Sequence, residues 1–231
     1  ILLVVMTINH LIWVSGGQTM LQLFTLEPFG QFGAAEGFIL ISGLLAGLVY
    51  SQPKYSYKQL KEKAFLRAFE IYKYHIVSLV ALFFVMVTFL HFVPETETLW
   101  RMKLGNFIDE PVSSYLLSLL LINRPPFFDI LPLYFMFMLC LPFMLLQLQK
   151  GRWWLLMAVS ITLWLLSGSI KGQMLSEPLI SLSPSLTADL GYFDPFAWQL
   201  LFTLGVVMGY VKRFSRFNVA SHFMFNKLIV A

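Results

Sequence analysis

The sequence predicts an all-α protein, a polytopic membrane helix bundle of about seven spans. Of its 231 residues, 58% are hydrophobic and only 12% are charged, whereas a soluble domain carries about 25% charged residues. The apolar residues form helix-length runs, and a helix needs about 20 residues to cross the hydrocarbon of a bilayer. The basic residues gather in a few of the loops between these runs. Both patterns are typical of a multi-span membrane protein.

Seven apolar runs account for the predicted spans. The first and the last are cut short by the ends of the sequence, so we interpret 1–231 as a single integral-membrane domain, a fragment truncated at both ends. A shorter stretch, 113–123, is too short to span and predicts a re-entrant or interfacial helix. The predicted spans are 1–15, 34–50, 72–93, 130–148, 153–170, 194–211 and 222–231.

Three basic loops fix the predicted orientation. All three fall on one side of a seven-span bundle, and the positive-inside rule places that side in the cytoplasm. Residues 58–75 are too charged for lipid and predict an amphipathic cytoplasmic helix that continues into the third span, with Arg67 and Glu70 spaced to pair. The basic residues are Lys54, Lys58, Lys61, Lys63 and Arg67, then Lys150 and Arg152, then Lys212, Arg213 and Arg216.

Two ionisable residues inside apolar runs are the first candidates for a functional site. His10 lies in the first span and Glu36 opens the second. Such groups are costly in lipid, so they usually face the bundle interior. His10 can act as a general base or an acyl-accepting nucleophile, and Glu36 can hold its tautomer. The alternatives are a packed neutral histidine and a first-turn acid that complements the helix dipole.

Other polar residues near span ends are weaker candidates. His75 lies near the cytoplasmic end of the third span, where an ordinary interfacial histidine is the alternative. The Asn123–Tyr134 segment is broken by prolines and is expected to turn at the outer boundary. There, Asp129 either lines a site or caps the fourth span, and Tyr134 can present a hydroxyl to a cavity. Gln199 lies within the sixth span and needs a partner.

Two further features are explained by structure alone. Asp194 followed by Pro195 is a standard helix start, so capping accounts for Asp194. The small residues Gly37, Gly43 and Gly47 favour close helix packing rather than catalysis. The sequence holds no GxxxxGK[ST], HExxH, CxxC or GxSxG motif, and its single cysteine predicts neither a disulfide nor a metal site.

At these residues the chain resembles the OpgC family of integral-membrane proteins, named for periplasmic glucan succinylation and similar to the wider group of multi-span membrane acyltransferases. The specific parts are Ala34-Ala35-Glu36-Gly37-Phe38 and Asp129-Ile130-Leu131-Pro132-Leu133-Tyr134. Weaker matches include the His10 segment, Ser42–Tyr50 and Phe193–Gly205, and the resemblance covers nearly the whole chain.

The resemblance implies an acyltransferase-like domain in the bacterial inner membrane, with His10 as its catalytic histidine. The expected donor is a cytoplasmic acyl-CoA, succinyl-CoA or acetyl-CoA, and the expected acceptor is a hydroxyl of a cell-envelope glycan. Arg67 and His75 are then expected to meet the CoA phosphates, with Asp129, Tyr134 and Gln199 at the acceptor end. No metal and no nucleic acid is expected.

Two other function classes stay open. A proton-coupled transporter or polysaccharide-export component also uses intramembrane His and Glu and proline-broken spans. A purely structural membrane partner would leave His10 and Glu36 unexplained.

Overall fold

The regular structure of the described part of the chain is helical. The computed structural model describes residues 2–14, 20, 33–126, 128–169 and 193–215. These residues form eight α-helices and one short 3₁₀ helix, with no strand among them. In order they are α1 Leu2–Val14, α2 Ala34–Tyr50, α3 Tyr57–Phe92, the 3₁₀ helix Pro94–Thr96, α4 Glu97–Asp109, α5 Pro111–Leu119, α6 Ile130–Gln149, α7 Trp153–Ser169 and α8 Pro195–Ser215.

The all-helical prediction is confirmed, while the number of spans stays a prediction. Six of the seven predicted spans coincide with α1, α2, α3, α6, α7 and α8, and 222–231 lies outside the described residues. By length and composition, α3 and α6 are able to cross a membrane, and α2 and α7 are shorter apolar helices. Helices suit lipid because they satisfy their own backbone hydrogen bonds.

Helix α3 is much longer than a membrane span. It runs without interruption for 36 residues, about 54 Å at 1.5 Å per residue, so the predicted charged extension of the third span is confirmed. Its buried side chains recur every three or four residues, as on one helix face: Leu60, Ala64, Ala68, Ile71, His75 and Leu79. On the exposed side, Arg67 pairs with Glu70 at 2.6 Å.

The chain divides into two compact units by its internal contacts, and the single integral-membrane domain of the sequence analysis stays a prediction. The first comprises residues 1–62, 140–162 and 198–231, and the second comprises 63–139 and 163–197. In the first unit, α1 packs against α2. The turn from α6 to α7 is closed by Gly151, whose φ of +69° suits the left-handed residue that ends many helices.

Glycines bring α2 and α8 into backbone contact within the first unit. A Cβ atom added to Gly43 would overlap the Phe202 carbonyl oxygen, and one added to Gly47 would overlap that of Val206. In α8, a Cβ atom added to Gly205 would likewise overlap the carbonyl oxygen of Leu40. The contacts advance together along both helices, so α2 and α8 run parallel. The predicted packing role is therefore confirmed for Gly43 and Gly47, in the small-xxx-small form used by membrane helices.

In the second unit, residues 97–119 fold back along α3. Trp100 of α4 packs on Phe89 with ring centroids 6.1 Å apart, and Tyr115 of α5 packs edge-on against Phe83 at 5.4 Å. Met86 and the α4 residues Leu104 and Phe107 form a small buried apolar cluster. Because α5 continues in the same direction, the returning segment covers much of the length of α3.

Helix α4 is kinked, and one arginine bridges the kink. Leu104 has non-helical φ and ψ of −139° and 34°. Arg101 donates to Glu97 at 2.7 Å and to Asp109 at 2.6 Å, on either side of that residue. Hydrogen bonds to Glu97 and Asp109 raise the pKa of the exposed Arg101 guanidinium above its usual value, so Arg101 stays charged across the physiological range.

Candidate functional site

The first two site predictions, His10 and Glu36, lie on helices that pack together. His10 is half-buried on α1. In the first turn of α2, the Glu36 carboxylate accepts a hydrogen bond from the Gly33 backbone N–H at 3.0 Å. This hydrogen bond fits the alternative interpretation of Glu36, in which its carboxylate stabilises the N-terminus of its own helix. Its role as a partner of His10 stays a prediction.

Gln199 has the hydrogen-bonding partner that the sequence analysis expected. That partner, Ser160, lies on another helix, α7. Its Oε1 accepts from the Ser160 hydroxyl at 2.7 Å, and its Nε2 donates to the Ser160 carbonyl at 2.7 Å. Thr203, one turn along α8, adds a longer bond of 3.4 Å to the same oxygen. All three residues are buried. The two reciprocal bonds join α7 to α8, as polar side chains do between membrane helices.

Asp194 caps α8 as predicted. Its Oδ1 accepts from the Phe196 N–H at 2.8 Å, and Pro195 is the first helical residue. Asp129 occupies the equivalent position directly before α6 and is only 4% exposed. Its predicted part in substrate binding is not tested by this position.

The most deeply buried ionisable side chain among the sequence candidates is His75, at 1% exposure. Its Nε2 lies 3.1 Å from the backbone carbonyl of Ser118 in the last turn of α5. Because a carbonyl oxygen can only accept, Nε2 carries the proton of this bond. In the neutral ring Nδ1 is then a hydrogen-bond acceptor. The alternative of an ordinary interfacial histidine does not describe this burial.

Two side chains of α3 hold the end of α5. The Tyr72 hydroxyl donates to the Leu119 carbonyl at 2.8 Å, next to the Ser118 carbonyl that receives His75. The last carbonyls of a helix lack hydrogen-bond donors within the helix. Here α3 supplies two donors from the side. A turn follows in which Leu121 has a φ of +63°, the one positive value for a non-glycine residue in the described part of the chain.

His75 belongs to a buried polar cluster, which we define as His75, Ser114, Ser118, Asn123 and Arg124. Each of its members is at most 5% exposed. Ser118 donates to the Ser114 carbonyl at 2.8 Å, and Asn123 approaches the same carbonyl at 3.4 Å. Arg124 donates to the Phe193 carbonyl at 3.1 Å and is close enough to His75 for their charges to interact. Sequence reasoning noted only His75 as a site candidate, because the others lacked any spacing motif.

The structure brings close together two groups of site residues that the sequence assigned to opposite membrane faces. Which face either group occupies stays a prediction. Arg67 and His75 were expected on the cytoplasmic side, and the Asn123–Tyr134 segment on the outer side. In the structure, Arg124 is within electrostatic range of His75, and Tyr134 is within electrostatic range of Arg67. The physical reason is the return of residues 97–119 along α3, which carries the following segment back to the level of His75.

The ring contacts of α6 agree with this proximity. Phe135, adjacent to Tyr134, packs on Tyr72 at 5.4 Å and on Phe69 at 6.4 Å. The start of α6 therefore lies beside the middle of α3. In the described part of the chain, no group of three or more His, Cys, Asp or Glu residues is arranged to hold a metal ion.

Comparison of the sequence with known proteins identifies its family. The family model described as OpgC protein matches residues 1–231. The chain belongs to the OpgC family. No curated protein and no solved structure gives a significant match. Membership in the OpgC family, together with the apolar helices α3 and α6, indicates a membrane protein with an acyltransferase-like role in glucan modification.

Proposed function

We propose that this OpgC protein is a membrane O-acyltransferase of the bacterial inner membrane. It moves an acyl group, succinyl or acetyl, from a cytoplasmic acyl-CoA to a hydroxyl of an extracytoplasmic glycan. The observation that supports this proposal most strongly is the family match over the whole chain. The basic loops and the charged first half of α3 are then the cytoplasmic side.

His10 is the proposed catalytic residue. As a base, its imidazole takes the proton of the acceptor hydroxyl while the hydroxyl oxygen bonds to the acyl carbon. The carbon–sulfur bond breaks, and the CoA thiolate recovers the proton. As a carrier, His10 instead holds the acyl group between two such steps. Glu36 is the proposed orienting group for the imidazole.

The proposed substrate contacts involve several of the predicted site residues. Arg67 is about half exposed beside the lysines of early α3 and is proposed to meet the CoA phosphates, which suit a guanidinium. Asp129 and Tyr134 are still proposed to line the acceptor end. Gln199 is occupied by Ser160, so we assign it to helix packing.

A proton-coupled transporter or export component is the second candidate. The buried His75 is the observation that favours it, because intramembrane histidines and carboxylates also form proton relays. Acyl-CoA binding separates the two functions, since a transporter of this kind has no need to bind the donor.

The test is acyl transfer by the purified full-length protein, with radiolabelled succinyl-CoA or acetyl-CoA and a glucan acceptor. We expect label in the glucan with the wild type and none with His10→Ala, which should still insert and bind acyl-CoA. Transfer at the wild-type rate by His10→Ala would remove His10 from the mechanism. Absence of both transfer and acyl-CoA binding in the wild type would favour transport.

A further inference from the structure

Helices α2 and α8 end side by side, and the residues at that end are basic. Gly47 lies against Tyr210, and the two helices run parallel, so the last turn of α2 is level with the turn of α8 that follows Tyr210. The chain carries three cations there, all within the first compact unit. We call this region the α2–α8 basic end and define it by Lys54, Lys212 and Arg213.

Local structure keeps these cations at the ends of their helices. The Tyr55 backbone N–H donates to the Gln52 carbonyl at 3.1 Å, so the chain turns directly after α2 and Lys54 stays near its end. In the last turns of α8, the rings of Tyr210 and Phe214 pack with centroids 4.5 Å apart. That contact spans the turn of α8 that carries the other two cations, which are therefore presented from a packed helical turn.

The segments at this end are basic and contain no acidic residue. Residues 50–58 and 206–215 include no Asp or Glu, and Lys58 adds a fourth cation to the first segment. Like charges gathered at one end of a bundle repel each other, so an anion bound among them is stabilised. The positive-inside rule predicts that this end faces the cytoplasm, on the side of the leaflet that carries anionic lipids.

An exposed apolar stripe of α8 leads to the same end. Leu204, Met208 and Lys212 recur at intervals of four residues and follow one another along one side of the helix. Leu204 is 37% exposed and Met208 is 52% exposed, and Lys212 is exposed as well. An apolar stripe that ends in a cation matches the two parts of a phospholipid, its acyl chains and its phosphate. A soluble phosphate compound would use the cation and leave the stripe uncovered.

We propose that the α2–α8 basic end binds an anionic phospholipid of the cytoplasmic leaflet. The lipid phosphate accepts hydrogen bonds from Lys212 and Arg213, Lys54 adds its charge from the turn after α2, and an acyl chain lies along Leu204 and Met208. Basic pockets between membrane helices on the cytoplasmic side are known to bind such headgroups. The inference does not rest on acyl transfer, because none of these residues belongs to the proposed catalytic or substrate-binding set.

The test is native mass spectrometry of the full-length protein, titrated with phosphatidylglycerol or with phosphatidylcholine of the same acyl chains. A basic residue near a membrane surface contributes about 1 kcal/mol of attraction to anionic lipid, which is about fivefold in affinity. Three cations then give a preference for phosphatidylglycerol of roughly 100-fold. A preference below about fivefold, the contribution of a single cation, would overturn the inference.

Substitutions with a matched control separate a site from a general effect of net charge. Lys212→Gln and Arg213→Gln should each weaken phosphatidylglycerol binding about fivefold and leave phosphatidylcholine binding unchanged, whereas Lys212→Arg should keep the affinity of the wild type. Arg101→Gln removes the same group as Arg213→Gln, but Arg101 is already paired with Glu97 and Asp109. We expect no loss of lipid binding in Arg101→Gln, and losses of equal size in Arg213→Gln and Arg101→Gln would overturn the site.

The apolar stripe separates a lipid from a soluble phosphate compound. Met208→Asn should weaken the binding of both lipids, because it places a polar amide where the acyl chain lies. Unchanged binding of both lipids would overturn the placement of the acyl chain. An excess of acetyl-CoA or of inorganic phosphate should not displace bound phosphatidylglycerol, and one-for-one displacement by either would overturn the assignment to a lipid.

Thermal unfolding in detergent provides a second readout. Lys54 and Lys212 are exposed, so without lipid the variants Lys54→Gln and Lys212→Gln should melt with the wild type. Added phosphatidylglycerol should raise the melting temperature of the wild type more than that of either variant, because a ligand stabilises the folded state in proportion to its occupancy. An equal rise in all three proteins would overturn the site. Neither readout involves acyl transfer, so this inference and the proposed function can fail independently.

Discussion

Alanine at Gly43 should force α2 and α8 apart. The added Cβ would overlap the carbonyl oxygen of Phe202 and lie 3.0 Å from its carbonyl carbon, whereas ordinary contacts begin near 3.4 Å. Relieving the overlap requires a local separation of about 1 Å in a tightly packed interface. Overpacking of this kind costs about 1–3 kcal/mol.

Gly168→Ala is the matched control for this substitution. Gly168 also lies in a helix, but a Cβ there meets no atom of the described residues within 4 Å. Both variants share the intrinsic gain of about 0.5–1 kcal/mol from replacing a helical glycine, so their difference isolates the overlap. At roughly 2–4 °C per kcal/mol for a chain of this size, Gly43→Ala should melt about 2–12 °C below Gly168→Ala.

The assay is thermal unfolding of the purified protein in one detergent, followed by loss of the monodisperse species. Equal melting temperatures for Gly43→Ala and Gly168→Ala would refute the backbone contact between α2 and α8. A higher melting temperature for Gly168→Ala than for the wild type would confirm that the control reports the intrinsic gain.

Three further predictions concern hydrogen bonds between and within helices, and melting temperature measures each. Gln199→Leu and Ser160→Ala should each lower the free energy of unfolding by about 1–2 kcal/mol, because each single change leaves a buried group unpaired. The double variant should lose less than the sum of the two. Strict additivity would contradict the pairing. Asp194→Ala should cost about 1 kcal/mol, and Asp194→Asn much less; an equal loss in both would argue against capping. Tyr72→Phe should cost about 1 kcal/mol, and no change would show that its hydroxyl does not hold α5.

The helix positions could be predicted from the sequence because apolar length alone defines them. The prediction of 34–50 coincides with α2, and 130–148 differs from α6 by one residue. Helix α4 was missed because its charges and Gly105 resemble a loop, and its packing against α3 depends on residues far along the chain. The proximity of Phe135, at the start of α6, to the middle of α3 was missed for the same reason.

The candidate site was only partly predictable for a related reason. His75 was identified as ionisable, but its partner is a backbone carbonyl 43 residues away, which no side-chain pattern reveals. Gln199 was expected to need a partner, and Ser160, 39 residues away, is not distinguished by its surroundings. Glu36 is the opposite case. Its hydrogen bond to Gly33 is local, so a role at the start of its own helix could be offered from the sequence as an alternative.

The most direct test of the central claim is acyl transfer across a sealed membrane. The full-length protein would be reconstituted into vesicles with a glucan trapped inside, and radiolabelled acyl-CoA would be added outside. For molecules whose basic loops face outward, we expect label in the trapped glucan with the wild type and none with His10→Ala. A correctly folded wild type that binds the donor but never labels the glucan, in either orientation, would contradict the assignment as a membrane acyltransferase.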